Sequence, residues 1–233
     1  MSRGQAARFG MTFDPGAAAA PDAGIFGLTT SLDESGVVVV PVPFEATTSY
    51  GGGTADGPRA VLEASRQVDL YDFGTGRPYE AGIFMLDESA EIRRLNKKAR
   101  RHASRVIERG GRVKGDAKLE RSLAKVNDAS ERVNEIVHRT VRDLLDARKL
   151  VATLGGDHSA PYGAIAAHAE RFPGMGILHV DAHADLRPAY EGFVWSHASI
   201  FHNVVTRLPK VARLVQVGIR DYSDEEMAMA SAA

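Results

Sequence analysis

"LHVDAHADLR", residues Leu178 to Arg187, places three potential metal ligands directly after an apolar strand predicted from Gly176 to Val180. Asp181, His183 and Asp185 are two residues apart, with an alanine between each pair. Side chains alternate in an extended chain, so the spacing predicts that all three point to one side. Ionisable groups so close together repel and are costly to desolvate without a counter-charge, which a divalent cation supplies.

A second polar cluster ends the strand predicted before this one. "LVATLGGDHS" (Leu150 to Ser159) finishes with Asp157 and His158, and a predicted helix from about Ala160 to Arg171 separates the two clusters. Ligands gather at the carboxyl ends of parallel strands. Carboxylates with one or two imidazoles suit Mn²⁺ best among common metals, with Fe²⁺, Ni²⁺ or Zn²⁺ as alternatives. Either motif alone is compatible with a surface loop or a hydrogen-bonded strand end, but the pair favours a metal site.

The remaining strands predict the fold class. Three short apolar runs are typical of buried strands: Gly36 to Phe44, Ala81 to Leu86, and Ala212 to Asp221. Pro58, after a glycine-rich loop, is expected to open a helix at a first-turn position. Short strands that alternate with helices predict an α/β fold with a parallel sheet covered on both faces.

Residues 88–148 interrupt this alternation. A first helix is predicted to end at Gly110 and Gly111, and a second, longer helix follows. The second helix carries one apolar face, formed by Leu119, Leu123, Val126, Val133, Val137, Val141 and Leu144. We therefore predict an irregular arm over residues 1–36 and one α/β domain over 37–233, with a helical insertion or hairpin at about 88–148.

Composition narrows the function classes. The chain has 233 residues, 44% hydrophobic and 25% charged, with a formal net charge of −1, which argues against a general nucleic-acid or membrane-surface binder. The absence of cysteine excludes disulfides, thiolate metal sites and a cysteine nucleophile. We expect neither a membrane span nor a secretory signal, and a cytoplasmic location fits.

One segment supports a different function class. Residues 91–125 hold thirteen Lys or Arg against four Asp or Glu, a pattern compatible with a helical module that binds RNA or an acidic partner. The segment lacks interleaved aromatic residues for base stacking, so a solvated helix face is the favoured interpretation. A non-catalytic fragment or a subunit of an oligomer is the other alternative to an enzyme.

"GGDHS" together with "DAHAD" resembles the ureohydrolase superfamily of arginase, agmatinase and their relatives. "GGGTADGPRAVLEAS" and "VGIRD" (Val217 to Asp221) are similar to further family segments, so the resemblance extends from about Val37 to the C-terminus around the insertion. It implies a three-layer α/β/α fold with a mainly parallel sheet, and a homo-oligomer, trimer or hexamer. It also implies two divalent metal ions, with Mn²⁺ as the expected metal and Ni²⁺ as the alternative, and hydrolysis of a guanidino compound to urea and an amine. Deacetylases, with a related sheet, fit these two motifs less well.

The resemblance also implies roles for the motif residues. His158 is expected to be a terminal ligand of the first metal, Asp181 the bridging carboxylate, and Asp185 the residue that completes the first metal's set. His183 is expected to bind the second metal. Asp157 is expected to orient its loop from outside the ligand set.

The loop after the second motif is expected to contact the substrate. His197, in "WSHAS", matches a family histidine that binds substrate or shuttles protons; the alternative is a hydrogen-bonded loop histidine. Phe193 and Trp195 stand where arginases place small polar residues, which favours agmatine, another guanidino compound or guanidine over arginine. Both could equally be core or oligomer contacts. Arg187 could bind the carboxylate of a guanidino acid or pair with Glu191.

The sequence departs from the family pattern at one point. The family carries a third motif, D-x-D, after "GIRD", and none follows here; Asp221 and Asp224 have the wrong spacing. Four of the six expected protein ligands are therefore found. We expect a fragment of a longer protein or a truncated reading frame, with weak metal affinity and impaired activity.

Overall fold

The computed structural model describes residue 14 and residues 16–232. In this part of the chain, five strands are β1 (Val37–Val42), β2 (Ile83–Met85), β3 (Leu150–Gly155), β4 (Met175–Val180) and β5 (Val211–Val217). Six helices are α1 (Gly57–Ala64), α2 (Ala90–Ile107), α3 (Ala117–Asp146), α4 (Tyr162–Arg171), α5 (Ile200–Arg207) and α6 (Asp224–Ala232). Each predicted strand is present, although β2 is three residues shorter than expected and β5 ends at Val217 rather than Asp221.

Local sequence explains where the helices begin and end. Pro58 lies in the first turn of α1, where its missing N–H removes no hydrogen bond. The Ser89 hydroxyl accepts the amide of Ile92 at the start of α2, and Asp116 caps α3 in the same way. Between these helices Gly111 has φ 74°, and a Cβ there would lie 2.6 Å from the Cα of Glu191, so only glycine fits.

All strand pairs are parallel, but the strands form two separate sheets. The order is β2-β1-β3 in one sheet and β4-β5 in the other. In the first sheet Val37 is aligned with both Ile83 and Leu150, and in the second His179 is opposite Gln216. Among the described residues, no ladder joins β3 to β4. The predicted α/β class with parallel strands is confirmed, whereas the described strands do not form one continuous sheet.

The larger hydrophobic core joins β1 to three helices. Alternate residues Val38, Val40 and Val42 point into it and are at most 5% exposed. The facing helices contribute Ile92, Ala99, Ala103, Val106, Val126, Val133, Val137, Val141, Ala164 and Ala167. The two helices predicted as an insertion therefore share one core with the first strand. The domain boundaries, and the interpretation of these two helices as an insertion, stay predictions.

The smaller core lies on one face of the second sheet. Ile177 and Leu214 pack there against Ile200, Phe201 and Val204 of the α5 helix and its start. The opposite face carries apolar side chains that are 46–72% exposed, namely Leu178, Val180, Val215 and Val217. In the described part of the chain, the sheet of β4 and β5 is therefore packed on one face only, whereas the prediction had both faces of the sheet covered.

The described residues before β1 pack against the domain. Ile25 is 2% exposed, and Arg66 donates from Nε to the carbonyl of Ala23 at 2.9 Å. The Lys149 ammonium donates to three carbonyls, those of Leu32, Asp33 and Ser35. Residues 1–13 and 15 of the predicted arm lie outside the described residues. Within the described ranges, no helix combines the length and apolarity that a membrane crossing requires.

Candidate metal centre

The turn after β3 carries His158 toward the end of β4. Gly156 packs so closely on the end of β1 that a Cβ would lie 1.9 Å from the carbonyl oxygen of Phe44. The next amide, of Asp157, donates to the same oxygen at 2.8 Å. The second glycine of "GGDHS", Gly156, therefore allows the close approach that fixes the turn.

Side chains from both motifs converge on one point. His158 Nδ1 lies 2.6 Å from Asp185 Oδ2 and 3.3 Å from Asp181 Oδ2. One nitrogen or oxygen from each of His158, His179, Asp181 and Asp185 falls within a group whose members lie within 4.8 Å of one another. Donor atoms gathered this closely can surround a single cation with bonds of roughly 2.0 to 2.2 Å after small adjustments.

His183 lies beside this group on the other oxygen of Asp181. Its Nδ1 is 3.3 Å from Asp181 Oδ1, and its Nε2 is 3.8 Å from Asp221 Oδ2. The two oxygens of Asp181 therefore face different imidazoles, with Oδ2 toward His158. A carboxylate with one oxygen on each side is the arrangement that a bridging ligand requires.

The side chains of the second motif converge for a different reason from the one predicted. β4 ends at Val180, and Asp185 has φ 53°, so the chain is not extended over Asp181 to Asp185. Asp185 reaches His158 because the backbone turns, rather than because side chains alternate along a strand. Aspartate tolerates this left-handed conformation better than most residues.

His179 joins the group although the sequence argument overlooked it. Its side chain is 4% exposed, and its Nε2 is 3.4 Å from Asp181 Oδ2. The signal was available, because His179 precedes Asp181 by two residues and lies on the same face of β4 as Ile177, which packs against the smaller core. Burial, reinforced by the neighbouring His158, lowers the pKa of His179 and so favours the neutral ring.

A cavity of about 330 Å³ opens above the group. It is lined by the predicted His158, Asp181, His183, Asp185, Arg187 and His197, and also by Tyr190, Ala198, Asp221 and Glu226. The cavity therefore brings together the four predicted ligands with two of the four other predicted site residues.

Comparison with known proteins agrees with this geometry. The family model described as "Arginase family" matches residues 35–233. This chain belongs to the arginase family. It is 33% identical over 204 residues to the N(1)-aminopropylagmatine ureohydrolase of Thermus thermophilus, an alignment that covers 86% of this chain and 56% of that protein. It is 29% identical over 196 residues to the agmatinase of Bacillus cereus, with coverage of 84% and 56%.

Solved structures show the same arginase fold. The arginase from Medicago truncatula superposes with a TM-score of 0.62 at 23% identity, over 85% of this chain and 54% of that one. The chain thus spans about half the length of the relatives it matches. The predicted family and fold class are confirmed.

The donor set suits the divalent ions that the arginase family uses. Burial alone would lower the pKa of His158. The hydrogen bond to Asp185 and the charges of Asp185 and Asp181 outweigh burial, and the pKa of His158 lies above its usual value. Burial alone raises the pKa of Asp181, but the amide of His183 and the nearby His158 lower it overall. Two adjacent carboxylates with imidazoles as neighbours match the oxygen and nitrogen donors that such ions prefer.

The two aromatic residues predicted to contact substrate lie elsewhere. Phe193 is fully buried in the larger core, and neither aromatic side chain lines the cavity. Trp195 is 9% exposed, packs on Tyr162 at 4.8 Å between ring centroids, and carries Arg207 over its ring. The packing of both residues favours the alternative that they are core residues, and the predicted substrate role stays a prediction.

Arg187 reaches the cavity but has a different partner from the one predicted. Its Nε lies 3.4 Å from Glu226 Oε2 rather than near Glu191. Glu226 is buried and also accepts the amides of Leu186 and Ser223, at 3.0 and 2.8 Å. Sequence reasoning missed Glu226, which lies in α6, forty residues after Leu186.

His197 sits at the rim of the metal centre beside a short hydrogen-bonded chain. Its Nδ1 is 3.5 Å from the Thr47 hydroxyl, which donates to Asp157 Oδ2 at 3.2 Å. Asp157 also accepts the amide of Ser159 at 2.9 Å, which holds the loop that carries His158. Burial raises the pKa of Asp157 despite these hydrogen bonds.

Proposed function

We propose that this chain takes part in hydrolysis of a guanidino compound with an agmatine-like amine tail, giving urea and the free amine. Water supplies the oxygen of urea, the C–N bond to the alkyl amine breaks, and the amine leaves with a proton. The observation that carries the proposal is the convergence of Asp181 and Asp185 on His158, whose Nδ1 lies within 3.3 Å of a carboxylate oxygen of each. The bacterial relatives named for agmatine and aminopropylagmatine support the substrate class.

The proposed ligands divide between two ions. His158, Asp181 and Asp185 would hold the first ion, while Asp181 and His183 would contribute to the second. Mn²⁺ is the expected metal, with Ni²⁺ as the alternative. When bound, such ions lower the pKa of water and so supply a nucleophile near neutral pH.

Other residues of the cavity would orient the substrate and move protons. His197 is proposed to hold or deliver the proton that the leaving amine takes, because its ring lines the cavity. Asp221 and Glu226 add negative charge to the same wall, which favours a cationic amine tail over a carboxylate. Arg187 already lies beside Glu226, so it is less suited to bind the carboxylate of a guanidino acid. Hydrolysis of a guanidino acid or of guanidine is the alternative to the proposed reaction.

The oligomeric state, the location and the partners of the protein are part of the same proposal. We propose a homo-oligomer, trimer or hexamer, and a cytoplasmic location. We propose no nucleic-acid or membrane partner, because part of the basic charge between residues 91 and 125 is used within the chain. Arg93 pairs with Glu88 at 2.7 Å, and Arg100 donates to the carbonyl of Gly51 at 2.9 Å.

Metal analysis combined with a urea assay tests the proposal. The purified chain is loaded with Mn²⁺ or Ni²⁺, its metal content is measured by mass spectrometry, and urea is measured with agmatine, aminopropylagmatine, arginine, guanidinobutyrate and guanidine. We expect urea from the two substrates with an amine tail, at a low rate because four of the six expected protein ligands are found, and loss of urea in Asp181→Asn. Absence of urea from all five compounds, in protein that has bound metal, would overturn the proposal.

A further inference from the structure

His179 and Gln216 form a side-chain pair underneath the metal centre. They lie directly opposite each other on β4 and β5. The Gln216 amide nitrogen, Nε2, is 2.8 Å from His179 Nδ1 and 2.8 Å from the carbonyl oxygen of Ala184. Two further rings pack against the imidazole: the centroid of Phe201 lies 4.1 Å from its own, and that of His158 lies 5.3 Å away.

These contacts determine which nitrogen of His179 carries the proton. The Ala184 carbonyl can only accept, so the Gln216 amide must turn its NH₂ group, not its oxygen, toward that carbonyl. The second hydrogen of the same NH₂ group then points at His179 Nδ1, which must accept it. A neutral imidazole that accepts at Nδ1 carries its hydrogen on Nε2.

A carboxylate oxygen lies near Nε2. His179 Nε2 is buried and makes no hydrogen bond of standard geometry with any described residue. Asp181 Oδ2 lies 3.4 Å from it. Asp181 Oδ2 is also the oxygen that faces His158, at 3.3 Å. A small shift of the carboxylate would bring it within normal hydrogen-bond distance of Nε2.

We infer that His179 is a positioning residue, which Gln216 holds as the Nε2–H tautomer so that it donates to Asp181 and does not bind the metal itself. The inference rests on the metal centre of the proposed function. Distance alone would allow His179 to be a ligand, because it lies as close to the group as the other donors. The tautomer excludes this, because a nitrogen that carries a hydrogen has no lone pair for a cation. Groups that orient a metal ligand in this way tune metal affinity.

The tautomer can be read directly in the wild-type chain. Long-range ¹H–¹⁵N spectra of ¹⁵N-histidine-labelled protein distinguish the two neutral tautomers, and the spectrum of His179→Gln assigns the signal. We expect the Nε2–H form of His179 without metal, and the same form after addition of Zn²⁺, used as a diamagnetic probe, while His158 shifts. An Nδ1–H form, or a metal-induced shift of His179 Nε2, would overturn the inference.

Gln216→Glu tests the origin of the tautomer. A carboxylate can only accept, so His179 should carry a hydrogen on Nδ1. It does so either as the neutral Nδ1–H form or, because Asp181 accepts at Nε2, as the positively charged ring. We expect Zn²⁺ affinity, measured by calorimetry, to fall about tenfold or more. Val215→Thr, an exposed change on the neighbouring residue of the same strand, is the matched control and should bind as the wild type.

The inference and the proposed function can fail separately. A wild-type chain that binds no Zn²⁺ would count against the proposed function, while the tautomer is still read in the metal-free protein. A Gln216→Glu variant that keeps the Nε2–H form and wild-type affinity would overturn the inference alone. If that variant does not fold, the wild-type spectra decide the tautomer without it.

Discussion

His158 Nδ1 lies 2.6 Å from Asp185 Oδ2, although the two residues are 27 positions apart and follow different strands. Asp185 is also tied through its backbone, because its carbonyl accepts the amides of Phe201 and His202 at 3.0 and 3.2 Å. One residue therefore connects the turn after β3, the turn after β4 and the start of α5. The metal centre and the smaller core are joined at this point.

Asp185→Asn should weaken metal binding without unfolding the chain. Asparagine tolerates the left-handed backbone at φ 53° and keeps the shape of the side chain, but it removes one negative charge from the donor group. We expect Mn²⁺ affinity to fall by about tenfold or more, measured by calorimetry, with little change in the melting temperature. The matched control is Asp224→Asn, an exposed acid at the start of α6. Equal affinities in the two variants would contradict the ligand role of Asp185.

Glu226→Gln should destabilise the protein. The Glu226 carboxylate accepts two backbone amides and lies beside Arg187 while it is 3% exposed. An amide in its place loses the charge and points an NH₂ group at one of these donors. Hydrogen bonds to a buried charged group contribute roughly 1.5 to 3 kcal/mol, so we expect a loss of about 2 kcal/mol in the free energy of unfolding. Urea denaturation measures this.

Glu225→Gln, at the exposed neighbouring position of α6, provides the control for Glu226→Gln. It should change the free energy of unfolding by less than about 0.5 kcal/mol, as surface substitutions usually do. Similar losses in both variants would show that α6 contributes through its charge in general, rather than through the buried contacts of Glu226.

The sequence predicted the positions of the strands well because apolar runs and turn residues are local signals. It also predicted that His158 and Asp181 meet, since both follow strands that run in the same direction. It could not predict the turn at Asp185, because a spacing of two residues shows alternation only if the chain stays extended. It could not separate cavity from core for Phe193 and Trp195 either, because an aromatic loop residue has the same local pattern in both settings.

Arg100→Met should loosen the loop that carries Thr47. The Arg100 guanidinium donates to the carbonyls of Ala46, Thr48 and Gly51, and so ties this loop to α2. Methionine keeps much of the side-chain volume but donates no hydrogen bond. We expect faster hydrogen exchange of the amides between residues 46 and 53, measured by mass spectrometry. The exposed neighbour gives the control, since Arg101→Met should leave exchange in this loop unchanged; faster exchange in both would contradict the anchoring role.

Glu45→Gln should destabilise the protein at neutral pH but not in acid. Partial burial raises the pKa of Glu45, but the amides of Ala55 and Gly53 and the hydroxyl of Thr54 outweigh it, so the pKa lies below its usual 4.5. A lowered pKa in the folded state means that the ionised form stabilises the fold. This stabilisation is fully present above about pH 4.5 and is lost as the pH falls through the folded-state value.

We therefore expect the free energy of unfolding of Glu45→Gln to be about 1 kcal/mol below that of the wild type at pH 7, and the difference to close below pH 4. Urea denaturation over a pH series measures the difference. Glu63→Gln, an exposed position on α1, controls for the loss of charge and should show no such pH dependence. A difference for Glu45→Gln that stays constant from pH 7 to pH 3 would mean that the ionised carboxylate is not what holds the glycine-rich turn.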